Sequence, residues 1–106
     1  MWGYEGVTDM DIRRLLAYRV RRWRRARDQS TRDLSLTLGF APNYVSELEH
    51  GQRRAPLLTL WTLAVHFGVT VDELLGPPRT REEHEWFQGI LANRPSAAWQ
   101  DEDEEE

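Results

Sequence analysis

A short polar segment in the middle of the chain carries side chains that form directional hydrogen bonds. Asn43 and Glu47 lie four residues apart, so a helix places them on one face, and Tyr44, Ser46 and His50 fall beside them. An asparagine amide can pair with the edge of adenine, and a glutamate carboxylate can accept a hydrogen bond from N4 of cytosine. The segment therefore has the chemistry needed to contact base edges.

The sequence lacks the usual groups of catalytic and metal-binding sites. It contains no cysteine, which excludes disulfides, zinc fingers and thiol nucleophiles. His50, His66 and His84 fall on different predicted elements and have no partners at ligand spacing. There is also no nucleophile with a nearby base and no phosphate-binding glycine loop. The sequence therefore predicts no enzyme activity, no metal site and no cofactor.

Two short helices joined by a glycine-containing turn are predicted to position the polar segment. Ser30 is a favourable N-cap for a helix over residues 31–38, and Gly39 suits the positive φ that often ends a helix. Pro42 is predicted to be the first residue of a second helix, which runs to about residue 50. The apolar residues predicted to hold these helices together are Leu34, Leu38, Phe40, Val45 and Leu48. This pattern is typical of a helix-turn-helix.

The rest of the chain is also predicted to be helical, so the expected fold class is all-α. Thr8 followed by Asp11 predicts a capping box for a first helix over about residues 9–27. Apolar residues at helical spacing predict three more helices, over about residues 57–67, 71–75 and 81–92. Trp23 and Trp61 are predicted to be core residues.

Charge is distributed unevenly along the chain. The formal net charge is −4, but residues 101–106 are all acidic, and without them the balance is 14 basic minus 12 acidic residues, or +2. Eleven of the fourteen basic residues lie between Arg13 and Arg54, and all fourteen are arginine. Seven are predicted on the outward face of the first helix: Arg13, Arg14, Arg19, Arg21, Arg22, Arg25 and Arg27. That face either approaches phosphates or is simply solvated.

Two segments of the sequence carry a family resemblance. They are LSLTLGFAPNYVSELEHG at residues 34–51 and TLWTLAVHFGVTVDELL at residues 59–75. The order and spacing of their glycine, glutamate and leucine positions resemble the Xre family, the Cro and phage-repressor type of helix-turn-helix, over about residues 16–76. The resemblance implies a five-helix domain that binds operators as a dimer. The sequence departs from the family pattern at Ser35, where alanine is usual, and at Ala41, where a polar helix cap is usual.

The resemblance also implies roles for individual residues. Asn43 and Glu47 occupy base-contacting positions, and Thr31 occupies the position of a glutamine that usually holds a phosphate. The other positions expected to lie against DNA are Arg32, Pro42, Tyr44, Ser46, His50, Arg53 and Arg54. Arg24 and Glu49 resemble a structural ion pair of the family, and a half-buried carboxylate beside the inward Leu48 would need a cation.

Four parts are expected along the chain: a lead-in over 1–8, a helix-turn-helix domain over 9–76, an additional amphipathic helix over 77–95 and an acidic tail over 96–106. The sixth helix has an apolar stripe, Trp86, Phe87, Ile90 and Leu91, that is too apolar to be left exposed. The stripe forms either a dimer or partner contact, or packs on its own domain. The tail either keeps the protein in solution or competes with DNA for the arginines. Trp2 and Trp99 are left without an assigned place.

These patterns together predict a dimeric, sequence-specific transcriptional repressor that binds double-stranded DNA at a palindromic operator. Two alternatives stay open. One is an antitoxin that regulates its own operon and binds a toxin through residues 77–106, and the other is a helix-turn-helix protein that serves only as a protein-interaction adaptor. The apolar runs are too short for a membrane span, and the first residues lack a signal-peptide pattern. The expected location is the cytoplasm, on the nucleoid when DNA is bound.

Overall fold

The computed structural model describes residues 6–93, which form six helices and contain no strand. The helices are α1 (Asp9–Ala26), α2 (Thr31–Thr37), α3 (Tyr44–Glu49), α4 (Leu57–Phe67), α5 (Val71–Leu75) and α6 (Arg81–Ala92). The predicted all-α fold with an additional C-terminal helix is confirmed. The expectations for the acidic tail, Trp2 and Trp99 concern residues outside the described range. No helix within residues 6–93 is both long enough and apolar enough to cross a membrane.

Hydroxyl side chains determine where four of the helices begin. Thr8, Ser30, Thr70 and Thr80 each accept a hydrogen bond from the backbone N–H three residues later, which satisfies one of the free donors of a helix N-terminus. At α1 the Asp11 carboxylate also accepts from the Thr8 N–H at 2.9 Å, which completes the predicted capping box. These starts depend only on residues close in sequence.

The core forms around α1, which contacts α3, α5 and α6. The buried cluster draws side chains from five helices: Leu16, Val20, Leu34, Val45, Leu48, Leu63, Ala64, Phe67 and Leu74. Trp23 is half-buried and packs against this cluster, with its ring centroid 5.4 Å from that of Phe67. The core therefore supports α2 and α3 from one side and leaves their other side free.

The predicted start of the third helix is wrong by two residues. Pro42 lies in a turn that is closed by a 3.0 Å hydrogen bond from the Tyr44 N–H to the Ala41 carbonyl, and α3 begins at Tyr44. Proline suits this turn position because its fixed φ matches the second residue of a turn. Asn43 becomes the N-cap residue, but its side chain makes no capping hydrogen bond.

The predicted arginine-rich outward face of α1 is only partly correct. Arg14 and Arg19, two of the seven arginines predicted on that face, are buried. Arg24, predicted as the ion-pair partner of Glu49, is buried as well. Arg19 is 1% exposed and donates to the carbonyl oxygens of Leu74 and Pro77 at 2.8 and 3.0 Å. An arginine with satisfied donors can be buried at a packed boundary, because its long stem is apolar and its head is hydrogen-bonded. Other helices cover α1 on more sides than its apolar stripe indicates.

The α6 stripe packs on its own domain, which is one of the two options that the sequence left open. Phe87 and Ile90 are buried, and the Trp86 ring stacks on Tyr18 of α1 with centroids 4.1 Å apart. Phe87 and Ile90 are therefore not available for the dimer or partner contact that was one of the two options. The physical reason is that α1 offers an apolar surface within reach of the same chain.

The expected core position of Trp61 is wrong, because its side chain is 61% exposed. The buried side of α4 is formed by Thr59, Leu63, Ala64 and Phe67 instead. Since α4 is apolar on nearly all sides, its periodicity does not indicate which side faces inward. The structure turns Trp61 towards solvent.

Arg19 and Glu83 form the ion pair that holds α6 on α1. The Arg19 Nε and Nη2 atoms donate to Glu83 Oε2 and Oε1 at 2.9 and 3.0 Å. Although burial by itself raises the pKa of Glu83, hydrogen bonds from the Arg19 side chain and the Arg79 N–H bring that pKa below its ordinary value. A group with a lowered pKa in the folded state stabilises the fold above its unfolded-state pKa, and this stabilisation is lost as the pH falls through the folded-state pKa.

We therefore expect Glu83→Gln to lower the free energy of unfolding by about 1–2 kcal/mol at neutral pH, since an Arg19 donor loses its charged acceptor. The difference from the wild type should shrink as the pH falls below the ordinary pKa of glutamate, and it should vanish below the lowered folded-state pKa, where the wild-type carboxylate is protonated as well. Denaturant melts over a pH series measure both effects. Glu85→Gln, a change of an exposed residue on the same helix, is the matched control, and an equal loss in that variant would contradict the assigned role of Glu83.

Candidate nucleic-acid interface

α2 and α3 form a helix-turn-helix within the described residues. The turn between them begins with Gly39 at φ 83°, a left-handed conformation that favours glycine. The next N–H, of Phe40, donates to the Ser35 carbonyl at 2.9 Å. Leu34 of α2 and Val45 of α3 are fully buried against each other's helices and the core. The predicted motif is therefore present, with one side of each helix anchored.

The Ser35 hydroxyl connects the two helices directly. Ser35 is fully buried, and its Oγ donates to the Thr31 carbonyl at 2.8 Å and accepts from the Val45 N–H at 2.9 Å. Val45 is the second residue of α3, and its N–H has no partner inside that helix. Because Asn43 does not cap α3, Ser35 supplies the missing acceptor from the neighbouring helix. The two departures from the family pattern, Ser35 and the uncapped α3 start, are thus linked.

A buried ion pair fixes the other end of α3. The Glu49 side chain has no exposed surface, and it accepts from Arg24 Nε at 2.7 Å and from Arg24 Nη2 at 3.0 Å. Arg21 Nε adds a longer contact at 3.4 Å, and Arg24 Nη1 donates to the Gln29 carbonyl at 2.9 Å. A buried carboxylate is tolerated only with such partners, because desolvation costs several kcal/mol. The pair therefore determines how α3 is oriented on α1.

The outward side of α3 carries a connected group of polar side chains. Asn43 is exposed, and its Nδ2 donates to Glu47 Oε2 at 3.0 Å. Arg53, in the loop after α3, donates to Glu47 Oε1 through Nε at 2.9 Å and lies 2.8 Å from it through Nη2. The Glu47 carboxylate is therefore already paired on both oxygens in the free protein, and it holds an amide and a guanidinium next to each other.

Tyr44 contacts this polar group and also two other parts of the domain. Its ring lies 4.5 Å from the Arg53 guanidinium carbon, in a cation–π contact, and stacks on Phe40 with centroids 4.2 Å apart. The Tyr44 hydroxyl is hydrogen-bonded to Thr59 Oγ1 of α4. Tyr44 therefore connects the exposed polar group to the turn on one side and to α4 on the other.

The remaining predicted positions lie at the start of α2, on α3 and in the following loop. Thr31 is half-buried at the first position of α2, and Arg32 beside it is exposed. The Ser46 carbonyl is 2.7 Å from His50 Nδ1, so the imidazole is held at the end of α3. The exposed Arg54 lies 3.7 Å from an Asp9 carboxylate oxygen across the surface. The structure thus brings Asn43, Tyr44, Glu47 and Arg53 into contact with one another. The contacts of the predicted residues with DNA stay a prediction.

Several residues that position this surface are not apparent from the sequence. Arg13 donates to the Gly51 carbonyl at 3.3 Å and connects α1 to the loop after α3. Ser35 did stand out as a departure from alanine, and a polar residue next to the inward Leu34 is a usable signal for a buried hydroxyl. Thr59 gave no signal, because its burial depends on how α4 is rotated.

The chain is similar to known helix-turn-helix proteins over much of its length. The family model HTH_3, described as helix-turn-helix, matches residues 20–74. An uncharacterised HTH-type transcriptional regulator, y4dJ, of Sinorhizobium fredii is 35% identical over 68 residues, which cover 64% of this chain and 88% of that protein. The crystal structure of a hypothetical transcription factor, NHTF, from Neisseria has a TM-score of 0.61 and 29% identity, and the match covers 74% of this chain and 90% of that chain.

We expect Ser35→Ala to lower the free energy of unfolding by about 1–3 kcal/mol, because the Val45 N–H would be left buried without an acceptor. Thr37→Ala, a change of an exposed residue on the same helix, is the control and should change stability by less than about 0.5 kcal/mol. Urea melts give both values. Amide hydrogen exchange should also show faster exchange at Val45 in the Ser35→Ala variant, and unchanged exchange there would contradict the assigned hydrogen bond.

Proposed function

Because the chain belongs to the HTH_3 helix-turn-helix family, a family of DNA-binding transcription regulators, we propose that it is a sequence-specific repressor that binds a palindromic operator as a homodimer. The observation that supports this most strongly is the two-sided character of α3. Its inward side is buried through Val45, Leu48 and Glu49, while Asn43 is exposed and paired with Glu47 on the other side. A short rigid helix with one anchored side and one polar side suits insertion into the major groove.

In this proposal the start of α3 lies against base edges. Asn43 lies at the N-cap, and the N-terminal residues of the second helix of such a motif are the ones that meet bases. An asparagine amide can form two hydrogen bonds to adenine. Glu47 holds that amide at 3.0 Å and so limits the directions in which Asn43 can point. Asn43 is the residue that we propose to determine base preference, with Ser46 beside it.

Phosphate contacts in this proposal come from the margins of the motif. Arg32 and Arg54 are exposed, and Thr31 lies at the start of α2, where free backbone N–H groups favour an anion. His50 is the C-cap residue of α3, and Arg53 lies in the loop that follows. Contacts of this kind supply most of the affinity and make it fall with salt. Arg19 and Arg24 contribute none, since both are buried.

A two-fold symmetric operator follows from a two-fold symmetric protein. Two copies would place one α3 in each half-site, with centres about one helical turn, ~34 Å, apart. Binding-site selection from a random duplex library, followed by footprinting on the DNA upstream of the gene, tests the proposal. An enriched inverted repeat would support it, and no enrichment at moderate salt would refute sequence-specific binding.

Asn43→Ala and Arg54→Ala should separate base contacts from phosphate contacts. We expect Asn43→Ala to weaken binding to the selected duplex by about 5- to 150-fold and to leave random duplex almost unaffected, since one base pair of contacts is worth about 1–3 kcal/mol. Arg54→Ala should weaken both duplexes alike and reduce the salt slope by about 1. Fluorescence anisotropy over a salt series gives these values. An equal loss on both duplexes for Asn43→Ala would exclude its role in base preference.

Glu47→Gln should have a different effect from either variant. It removes a negative charge from the DNA-facing side and releases Arg53, so we expect tighter binding to random duplex and a salt slope steeper by about 1. Binding to the selected duplex should lose discrimination because Asn43 is held less firmly. Glu85→Gln is the control, because it also removes one negative charge but lies on α6. If both variants tighten binding to random duplex equally, the effect is one of net charge and the assigned role of Glu47 is wrong.

A further inference from the structure

One side of α4 is apolar and uncovered by the described part of the chain. Four side chains on it are between 60% and 79% exposed: Leu57, Leu58, Trp61 and Val65. At about 100° of rotation per residue, they fall within one arc of about 100°. We call these four side chains the α4 apolar face. The other large apolar side chains that are exposed within residues 6–93 lie on α1 and α2 and are less exposed: Met10, Ile12 and Leu36.

The α4 apolar face is also free of charge. α4 contains no aspartate, glutamate, lysine or arginine, although such residues make up 30% of the chain. Its one titratable residue is His66, and burial together with the nearby Arg27 lowers the pKa of that imidazole below its ordinary value, which favours the uncharged form. A surface that meets a copy of itself across a two-fold axis brings like groups together. An uncharged apolar face has no like charges to bring together there.

The size of the face is sufficient for association of two copies. Trp61 alone exposes roughly 90–150 Å², since it is 61% exposed and an aromatic side chain presents roughly 150–250 Å². The three smaller but more numerous aliphatic side chains bring the total to roughly 500 Å². This lies within the size of the largest patches on monomers, which are often functional. Two copies meeting through it would bury about 1,000 Å² in total, which is the lower limit for a specific interface.

The opposite side of α4 is connected to the DNA-facing surface. Thr59 lies on the buried side of α4, and its Oγ1 is hydrogen-bonded to the Tyr44 hydroxyl at the first residue of α3. A contact between two α4 helices would therefore fix the two α3 starts relative to each other through one short path. The α6 stripe offers no such surface, because Phe87 and Ile90 are buried in their own domain.

We infer that the α4 apolar face is the surface through which two copies of this chain associate. The inference rests on the dimeric part of the proposed function and assigns its interface. Trp61 lies in the middle of the arc, and a tryptophan at the centre of an interface commonly contributes a large share of the binding energy.

Sedimentation velocity of the full chain without DNA tests the inference. We expect the wild type to be a dimer, Trp61→Arg to raise the dimer dissociation constant by about 100-fold or more, and Leu36→Arg to leave it unchanged. Leu36 is a matched control, since it is 50% exposed and lies on α2. Leu57→Arg repeats the test at the most exposed position of the face, and circular dichroism melts verify that each variant is folded. A monomeric wild type would overturn the inference, and so would a Trp61→Arg variant as dimeric as the wild type.

Cysteine crosslinking provides a second, independent test because the natural chain has no cysteine. A single Leu57→Cys, Leu58→Cys or Val65→Cys substitution can form a disulfide only with the same residue of a second copy. We expect at least one of the three to form covalent dimers under mild oxidation much faster than Leu36→Cys. If none does, no tested position of the face lies close to the same position of a second copy, and the inference is wrong.

DNA binding separates failure of the inference from failure of the proposed function. Trp61→Arg should bind a duplex with a single selected half-site as tightly as the wild type and should lose affinity only for the full inverted repeat. A wild type that dimerises through α4 but binds no DNA would refute the proposed function and leave the inference intact. Normal binding to the inverted repeat by a Trp61→Arg variant that is still dimeric would overturn the inference alone.

Discussion

The buried ion pair between Arg24 and Glu49 is the contact on which the outward polar side of α3 depends. α3 has only six residues, and a helix of that length is not stable by itself in water. Its position must therefore come from tertiary contacts. Glu49 is the last residue of α3 and is fully buried, so its carboxylate requires the two hydrogen bonds from Arg24. Because those bonds have a fixed geometry, they fix the direction of α3 as well as its place.

Arginine serves as a structural residue as well as a surface cation in this protein. Arg19 and Arg24 lie five residues apart on α1, and each is buried with a carboxylate partner on another helix. Arg19 holds α6 on α1, and Arg24 holds α3 on α1. α1 therefore connects the helix-turn-helix to the C-terminal helix. Arg32, Arg53 and Arg54 remain on the surface near the motif. The positive charge available to DNA is thus smaller than the arginine count indicates.

The polar surface of α3 is organised before any DNA is present. Glu47 is paired with Asn43 and Arg53, and the Tyr44 ring lies under Arg53. Such preorganisation reduces the entropy that side chains lose on binding. Tyr44 also bonds to Thr59 of α4, so the polar surface and the α4 apolar face belong to one connected unit. Association of two copies and contact with two half-sites would then be geometrically coupled.

The local features of the fold followed from the sequence because they depend on residues close together in the chain. The caps predicted at Thr8 and Ser30 each accept from the N–H three residues later, and Gly39 has the positive φ that its position predicts. The family resemblance correctly identified the helix-turn-helix, whose residues are contiguous.

The tertiary structure alone decided which long or apolar side chains face inward. α4 is apolar around most of its circumference, so its sequence pattern has no preferred inward side and does not indicate that Trp61 faces solvent. Arg19 bonds to Pro77, which is 58 residues away, and no local pattern indicates such a partner. The burial of an arginine or the rotation of an apolar helix depends on which neighbours the completed fold supplies, and those neighbours come from distant parts of the chain.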